Sequence, residues 1–326
     1  MIFGANLEMR AFRWDDLPVV VDIVNRSDAY DGLERGASES ELRAWWTDPN
    51  IAPEQNGFLA LVDGEPVGYG LVPKRPEVDY SSFSEFFVNG AVLPEWRHQS
   101  IGRRIVGECE RRAWMRLDEA SIPTVTMMMW VEVRQTDTAL LCSDLGMAPA
   151  RSFFNMVYDS PASPRTAPCP SGYRIREASG RREIADAFGV LATAFQDHWG
   201  HPTLSLQEWR HWMPGADGCA DQVYVGLDRA GRIVGACRCA INPEQNRRLG
   251  RAQGWIEDLG VLCDHRSRGL GRALLLAGID GLRKTGCTHV LLDVDVQNTS
   301  GALRLYESLG FRVRQEIVVW RKFLRG

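Results

Sequence analysis

The chain has 326 residues, 44% of them hydrophobic, 25% charged and 9% aromatic. A prior of roughly 150 residues per domain suggests about two domains, and this composition excludes a disordered, collagen-like or mini-protein class. The net charge is −4 with no basic excess or stripe, which argues against a nucleic-acid surface.

The first residues, MIFGANLEMRAF, lack the basic-then-apolar pattern of a secretory leader. No run approaches the ~18 apolar residues of a membrane span, so a soluble cytoplasmic protein is expected. The residue pattern then predicts a strand over 7–12, helical regions over 15–26 and 38–47, and a hairpin with strands 58–63 and 66–72 around Gly64-Glu65. A central strand over 85–92, a sharp turn and an amphipathic helix over 101–116 follow. A strand over 124–133, a short helix over 136–145 and a closing strand or hairpin complete the half. Residues 159–172, DSPASPRTAPCPSG, read as a linker, because proline, serine and glycine deny them both helix and strand.

After the linker the series repeats. It has a strand over 172–177, helices over 180–195 and 205–213, and a hairpin of 222–227 and 232–241 around Ala230-Gly231. Then come a central strand over 253–261, a helix over 270–284, a strand over 287–296, a helix over 299–308 and a last strand or hairpin. In the 270–284 helix, Leu275, Ile279 and Leu282 fall at i, i+4, i+7 and form one buried stripe. Short matches such as Val67-Gly68 with Val234-Gly235, and Leu145-Gly146 with Leu309-Gly310, occur in the same order at nearly constant offset, the mark of duplication. The expected fold class is therefore α/β, in α+β layers, made twice: 1–159, a linker at 160–171, and 172–326. The eight cysteines include no CxxC, so they read as free thiols of a reducing cytoplasm rather than a metal or redox framework. Arginine supplies all but three of the 38 cationic residues, a bias of GC-rich bacterial coding rather than of function.

The most informative segment is Glu257–Leu276, EDLGVLCDHRSRGLGRALLL. A strand ends at Val261, the chain turns through Arg266-Ser267-Arg268-Gly269-Leu270-Gly271, and a helix begins. Amides at a helix N-terminus have no intrahelical partner, and the helix dipole adds positive potential there. With glycine at 269 and 271, the turn is a candidate pyrophosphate cradle. A phosphate-binding P-loop would need Lys after Gly271, where Arg272 stands, and a dinucleotide fingerprint would need a third glycine at Leu274.

The spacing Arg-x-x-Gly-x-Gly after a strand resembles motif A of the GNAT superfamily of N-acetyltransferases. About 40 residues on, Asn298 and Ala302-Leu303-Arg304-Leu305-Tyr306-Glu307-Ser308-Leu309-Gly310-Phe311 resemble its motif B. The resemblance implies that acetyl-CoA, or coenzyme A, is held by Leu259, Gly260, Val261, Arg266, Ser267, Arg268, Gly269, Leu270, Gly271, Arg272 and Asn298. It places the amide of Val261 near the thioester carbonyl and Tyr306 near the sulfur as acid. Glu257-Asp258-Leu259 resembles the "ED" segment of the diamine acetyltransferases, which makes Glu257 a candidate base. Asp258 points to the opposite face if the strand is regular, and a bulge there would change that. His198, Trp199, Trp209 and Trp212 would wall the acceptor site; a zinc reading of His198 and His201 is spoiled by Gly200 and Pro202.

The first half carries a degenerate copy. Val92, Arg97, Ser100, Ile101, Gly102 and Arg103 occupy the motif A positions, with Ser100 in place of the first glycine. Cys142 stands where the second half has Tyr306, and Arg134 where it has Asn298. The expected protein is a tandem N-acetyltransferase that acetylates a primary amine of a small molecule in residues 172–326. Its first half is then structural, or binds coenzyme A without turnover. A non-catalytic acyl-CoA-binding protein and a protein or peptide N-acetyltransferase remain open. No nucleic acid, membrane or metal is expected, and the chain is a monomer or homodimer.

Overall fold

The computed structural model describes residues 6–75, 83–119, 122–160, 169–196, 198–199 and 220–325. Most of the expected linker and the helix expected over 205–213 lie outside these residues. The chain divides into two compact units: residues 1–152 with 317–326, and residues 153–316. Linker composition predicted a division by sequence order; strand pairing instead sets the membership of the units.

Unit 1 runs β1 (Leu7–Ala11), α1 (Leu17–Tyr30), α2 (Glu39–Trp46), α3 (Pro53–Asn56), β2 (Gly57–Val62), β3 (Glu65–Leu71), β4 (Ser84–Phe87), β5 (Asn89–Val92), α4 (Ile101–Met115), β6 (Val125–Glu132) and α5 (Thr136–Asp144). A third segment, β7 (Ala148–Tyr158), passes into unit 2 at Phe153. Unit 2 continues with β8 (Arg174–Glu177), α6 (Gly180–Ala194), β9 (Ala220–Leu227), β10 (Ile233–Ile241), α7 (Pro243–Leu249), β11 (Gln253–Val261), α8 (Leu270–Lys284), β12 (His289–Asp295), α9 (Ala302–Leu309) and β13 (Arg312–Arg325). From Ile317 onward β13 pairs with β6 of unit 1, while Phe153–Tyr158 of β7 pair with β12 of unit 2. Each unit thus takes its last strand from the other half of the sequence.

Helix starts follow local chemistry. Ser38 caps α2, accepting from the Glu41 amide at 3.2 Å while the Glu41 carboxylate accepts from the Ser38 amide at 2.7 Å. The short helices α3 and α7, absent from the sequence expectation, each begin at a proline. The expected stripe of α8 is buried, with Leu275, Ile279 and Leu282 fully covered in a core shared with Cys237, Cys239 and Ile256.

Unit 2 holds one sheet in the order β7-β12-β11-β10-β9-β8. Every neighbouring pair is antiparallel except β11 and β12, whose parallel pairing requires the crossover that α8 provides. That parallel pairing covers only Gln253↔His289, Gly254↔Val290 and Trp255↔Leu291. Beyond it the strands part. Unit 1 repeats the feature: β4 pairs with β6 in parallel as far as Phe87↔Met128, the Val88 amide donates to the Met128 carbonyl at 2.8 Å, and β5 then leaves to pair with β3. The strand expected over 85–92 is therefore two strands, broken at Val88.

Candidate functional site

In unit 2 the turn after β11 presents the first amides of α8. Gly269 stands before the helix with φ of +83°, a conformation that disfavours side chains. A Cβ on Gly271 would meet only Val261 Cγ2, at 3.8 Å, so the space over the helix start is open. Leu270 is buried and anchors the turn, while Ser267, Arg268 and Gly269 are exposed. Unpaired helix amides under an open glycine fit an anionic pyrophosphate.

The arginines of the turn divide their work. Arg266 donates through Nε to the Val261 carbonyl and through Nη2 to the Ala194 carbonyl, both at 2.9 Å. It braces the turn against the end of α6 rather than facing outward. Arg272 donates to Ser308 Oγ at 2.9 Å and ties α8 to α9. Arg268 is left as the exposed cation beside the helix start. Gly260 lets α6 approach, since a Cβ there would lie 2.9 Å from Ala194 Cβ; Leu259 packs against the α8 core. Asn298 accepts from the Ser300 amide at 2.6 Å and lies 3.5 Å from His198 Nε2, so it shapes the turn before α9.

The register of β10 and β11 places the carboxylates. Arg238 faces Asp258 and Cys239 faces Ile256, so Glu257 is an extra residue on β11, a bulge. Regular alternation would send Glu257 and Asp258 to opposite faces; the bulge turns both toward Arg238. Arg238 Nε lies 2.7 Å from Asp258 Oδ2, and Nη2 lies 3.7 Å from Glu257 Oε2. Sequence reading missed Arg238, because only the register reveals which residue spans the two acids. Tyr306, on α9, is buried beside Phe311, with ring centroids 5.9 Å apart. Burial, with Cys237 adding to it, raises the phenol well above its ordinary range, so it keeps its proton. Among the described residues its hydroxyl has no hydrogen-bond partner.

Of the expected acceptor wall, Trp199 lies 5.9 Å from the Phe153 ring and His198 4.4 Å from the Phe195 ring. His201, Trp209 and Trp212 lie outside the described residues. Among the described residues no three His, Cys, Asp or Glu side chains form a group able to hold a metal ion, and no helix is long and apolar enough to cross a membrane.

Unit 1 repeats the backbone of the turn. His98 and Ser100 have φ of 59° and 66°, against 59° and 83° at Ser267 and Gly269. Arg97 reaches the Val92 carbonyl at 3.4 Å and pairs with Asp31 at 2.6 Å, and Arg103 ties α4 to α5 through Asp144 at 2.8 Å. Ile101 is buried as Leu270 is. A cavity of about 720 Å³ opens along this turn; Val92, Arg97, Ser100, Gly102 and Arg103 line it, together with Tyr69. The chemistry-bearing positions differ. Val88 stands where unit 2 has Glu257, and the cross-strand pair Leu71↔Asn89 stands where it has Arg238↔Asp258. Cys142 is buried, its thiol pushed up to about 12 by burial, with Sγ 3.8 Å from Met129 Sδ.

The model of the acetyltransferase (GNAT) family matches residues 18–125 and 184–311. The chain is 31% identical over 280 residues to a mycothiol acetyltransferase of Thermobispora bispora, covering 83% of this chain and 85% of that protein. It is 27% identical to that of Salinispora arenicola over 91% of both chains. Among solved structures, a GCN5-related N-acetyltransferase from Sphaerobacter thermophilus aligns with a TM-score of 0.76 at 24% identity, covering 98% of this chain and 96% of that one. A tandem GNAT protein from the clavulanic acid biosynthesis pathway aligns with a TM-score of 0.74 at 16% identity, over 98% of both chains.

Proposed function

The chain belongs to the GNAT family of acetyltransferases and is an acyl-CoA-dependent N-acetyltransferase of tandem form, and we propose that its transfer chemistry resides in residues 172–326, with a primary amine of a small molecule as acceptor. Acetyl-CoA, when bound, supplies the thioester. Transfer forms a bond from the amine nitrogen to the acetyl carbon and breaks the carbon–sulfur bond. One proton must leave nitrogen and one must reach sulfur.

Glu257 takes the first proton. The observation that carries this reading is its bulge, placed where β11 parts from β12 and fixed against Arg238. Tyr306 gives the second; its raised pKa keeps it a neutral donor at working pH. The amides at the start of α8, with Arg268 beside them, hold the pyrophosphate, and the Val261 amide faces the thioester carbonyl. Residues 1–159 keep the turn but not the acid or base, and so hold coenzyme A without turnover or serve as structure. The mycothiol acetyltransferase relatives favour a small amine over a protein as acceptor.

The test is acetyl-CoA turnover across polyamines, aminoglycosides, amino acids, cysteinyl thiols and short peptides, followed by mass spectrometry. A product that disappears in Tyr306→Phe supports the reading. A product that survives in Gly271→Glu overturns it, since a carboxylate in the open space over the helix start would repel the pyrophosphate.

A further inference from the structure

Trp255↔Leu291 is the last pair that joins β11 to β12. Cys239 and Ile256 are buried in the core against α8, so Arg238, and Glu257 which the bulge turns toward it, lie on the other face of the sheet just where the strands part. Leu292 and Val294, on either side of Asp293, are buried in the core against α8, so Asp293 points away from that core. Its carboxylate accepts from Asn155 Nδ2 at 2.8 Å, and Asn155 is its register partner on β7. Asn155 is itself only 3% exposed, and its Oδ1 has no hydrogen-bond partner. A buried amide on the neighbouring strand, hydrogen-bonded through its side chain to this carboxylate, holds it in position.

Asp293 is open to solvent, yet desolvation raises its carboxyl, against the opposing effects of the Asn155 hydrogen bond and of Arg314. Phe153, two residues from Asn155 along β7 and so on the same face, carries Trp199 at its side. In unit 1 the corresponding cross-strand pair is Met129↔Trp320, apolar on both strands.

We propose that Asp293 is a specificity-determining residue: it receives a positively charged nitrogen of the acceptor at the opening between β11 and β12, and Asn155 is the positioning residue that holds it there. This inference rests on transfer taking place in residues 172–326. The acceptor class is thereby narrowed to small amines that enter as ammonium ions, which present donors and charge to a fixed carboxylate.

The test uses the full chain, acetyl-CoA and spermidine as the cationic probe. Asp293→Asn should raise KM for spermidine about ten- to a hundredfold, the effect of losing a charged hydrogen-bond partner. The saturated kcat and KM for acetyl-CoA should stay within about twofold. Asp293→Glu should recover part of the loss, and Asn155→Leu should raise spermidine KM in the same direction. A collapse of kcat with spermidine KM unchanged would make Asp293 a participant in proton transfer and overturn the assignment, as would no change in either constant. Calorimetric binding of spermidine in the presence of coenzyme A separates the two levels of the argument. If turnover survives in Gly271→Glu, the placement of the chemistry in residues 172–326 fails. The dock still stands or falls on whether Asp293→Asn weakens that binding, and absence of spermidine binding to the unaltered protein overturns it.

Discussion

The two units share a backbone and differ in chemistry. Both interrupt the strand before the turn at the same relative residue, by a break at Val88 in one and by a bulge at Glu257 in the other. Both place left-handed residues two apart in the turn, and both spend the first arginine on the carbonyl of the strand's last valine. Yet Glu257, Arg238, Asp258 and Tyr306 have as counterparts Val88, Leu71, Asn89 and Cys142. A cradle made of main-chain amides survives side-chain replacement, because only the backbone must keep its path. The proposed proton-transfer site would not, because each side chain supplies a distinct atom. That all four positions differ together accords with their acting as one set.

The largest effect should come from emptying that set at its acid. Tyr306→Phe keeps the packing against Phe311 and removes the donor, so kcat should fall about 10²- to 10⁴-fold, while coenzyme A binding measured by calorimetry stays. The reciprocal change, Cys142→Tyr in unit 1, should create no second activity, since Val88 still stands in place of a base. Activity appearing there in a chain already carrying Tyr306→Phe would break the comparison.

Next in size is Arg238→Leu, which installs in unit 2 the residue unit 1 has at that position. The guanidinium spans Asp258 and Glu257, and a base misplaced by about an ångström costs on the order of 10²-fold. Glu257→Gln and Arg238→Leu should be far from additive, because both act on one proton acceptor. A double variant whose loss equals the product of the single losses would separate Arg238 from Glu257.

A third effect should emerge at high pH. The Tyr306 phenol has a folded pKa raised above its unfolded value near 10 by burial. Below pH ~10 it is neutral in both states and its burial contribution is fully present; as pH rises past that value the unfolded state ionises first and stability is lost. Tyr69 in unit 1 is raised by the same cause. Urea unfolding above pH 10 should therefore weaken less steeply in Tyr306→Phe than in the unaltered chain. Equal slopes would show that the phenol is not desolvated in solution.

Much of this was legible in the sequence. The turn is local chemistry: glycine where φ is positive, a leucine to anchor it, a helix start directly after. Duplication could be read because both copies keep their punctuation. What could not be read depends on register. Glu257 and Asp258 are consecutive, and nothing in the sequence says that one residue of β11 is extra; without that, Arg238 is one of 35 arginines. Arg266 looked like a phosphate ligand by its motif position, but its contact with Ala194 comes from a helix 72 residues earlier. The exchange of closing strands was hidden for the same reason, since β13 and β7 have the alternation that either sheet could accept.

The smallest expected effect bears on whether the two cradles are truly alike. Ser100 holds φ of +66° without making a side-chain cap hydrogen bond, so its hydroxyl does nothing at the helix start to offset the strain of that conformation. A non-glycine residue there costs roughly 1–2 kcal/mol, while glycine would give back roughly 0.5–1 kcal/mol through its more mobile unfolded chain. Ser100→Gly should thus stabilise unit 1 by about 0.5 kcal/mol in urea unfolding, the net of these terms. Gly269→Ser should destabilise unit 2 by a similar amount, through the positive φ alone, since its new Cβ would make only an ordinary contact with Pro170 at 3.4 Å. If Ser100→Gly destabilised instead, the serine would be supplying an interaction of its own, and the turn of unit 1 would have to be counted as a remade site rather than a worn copy of the other.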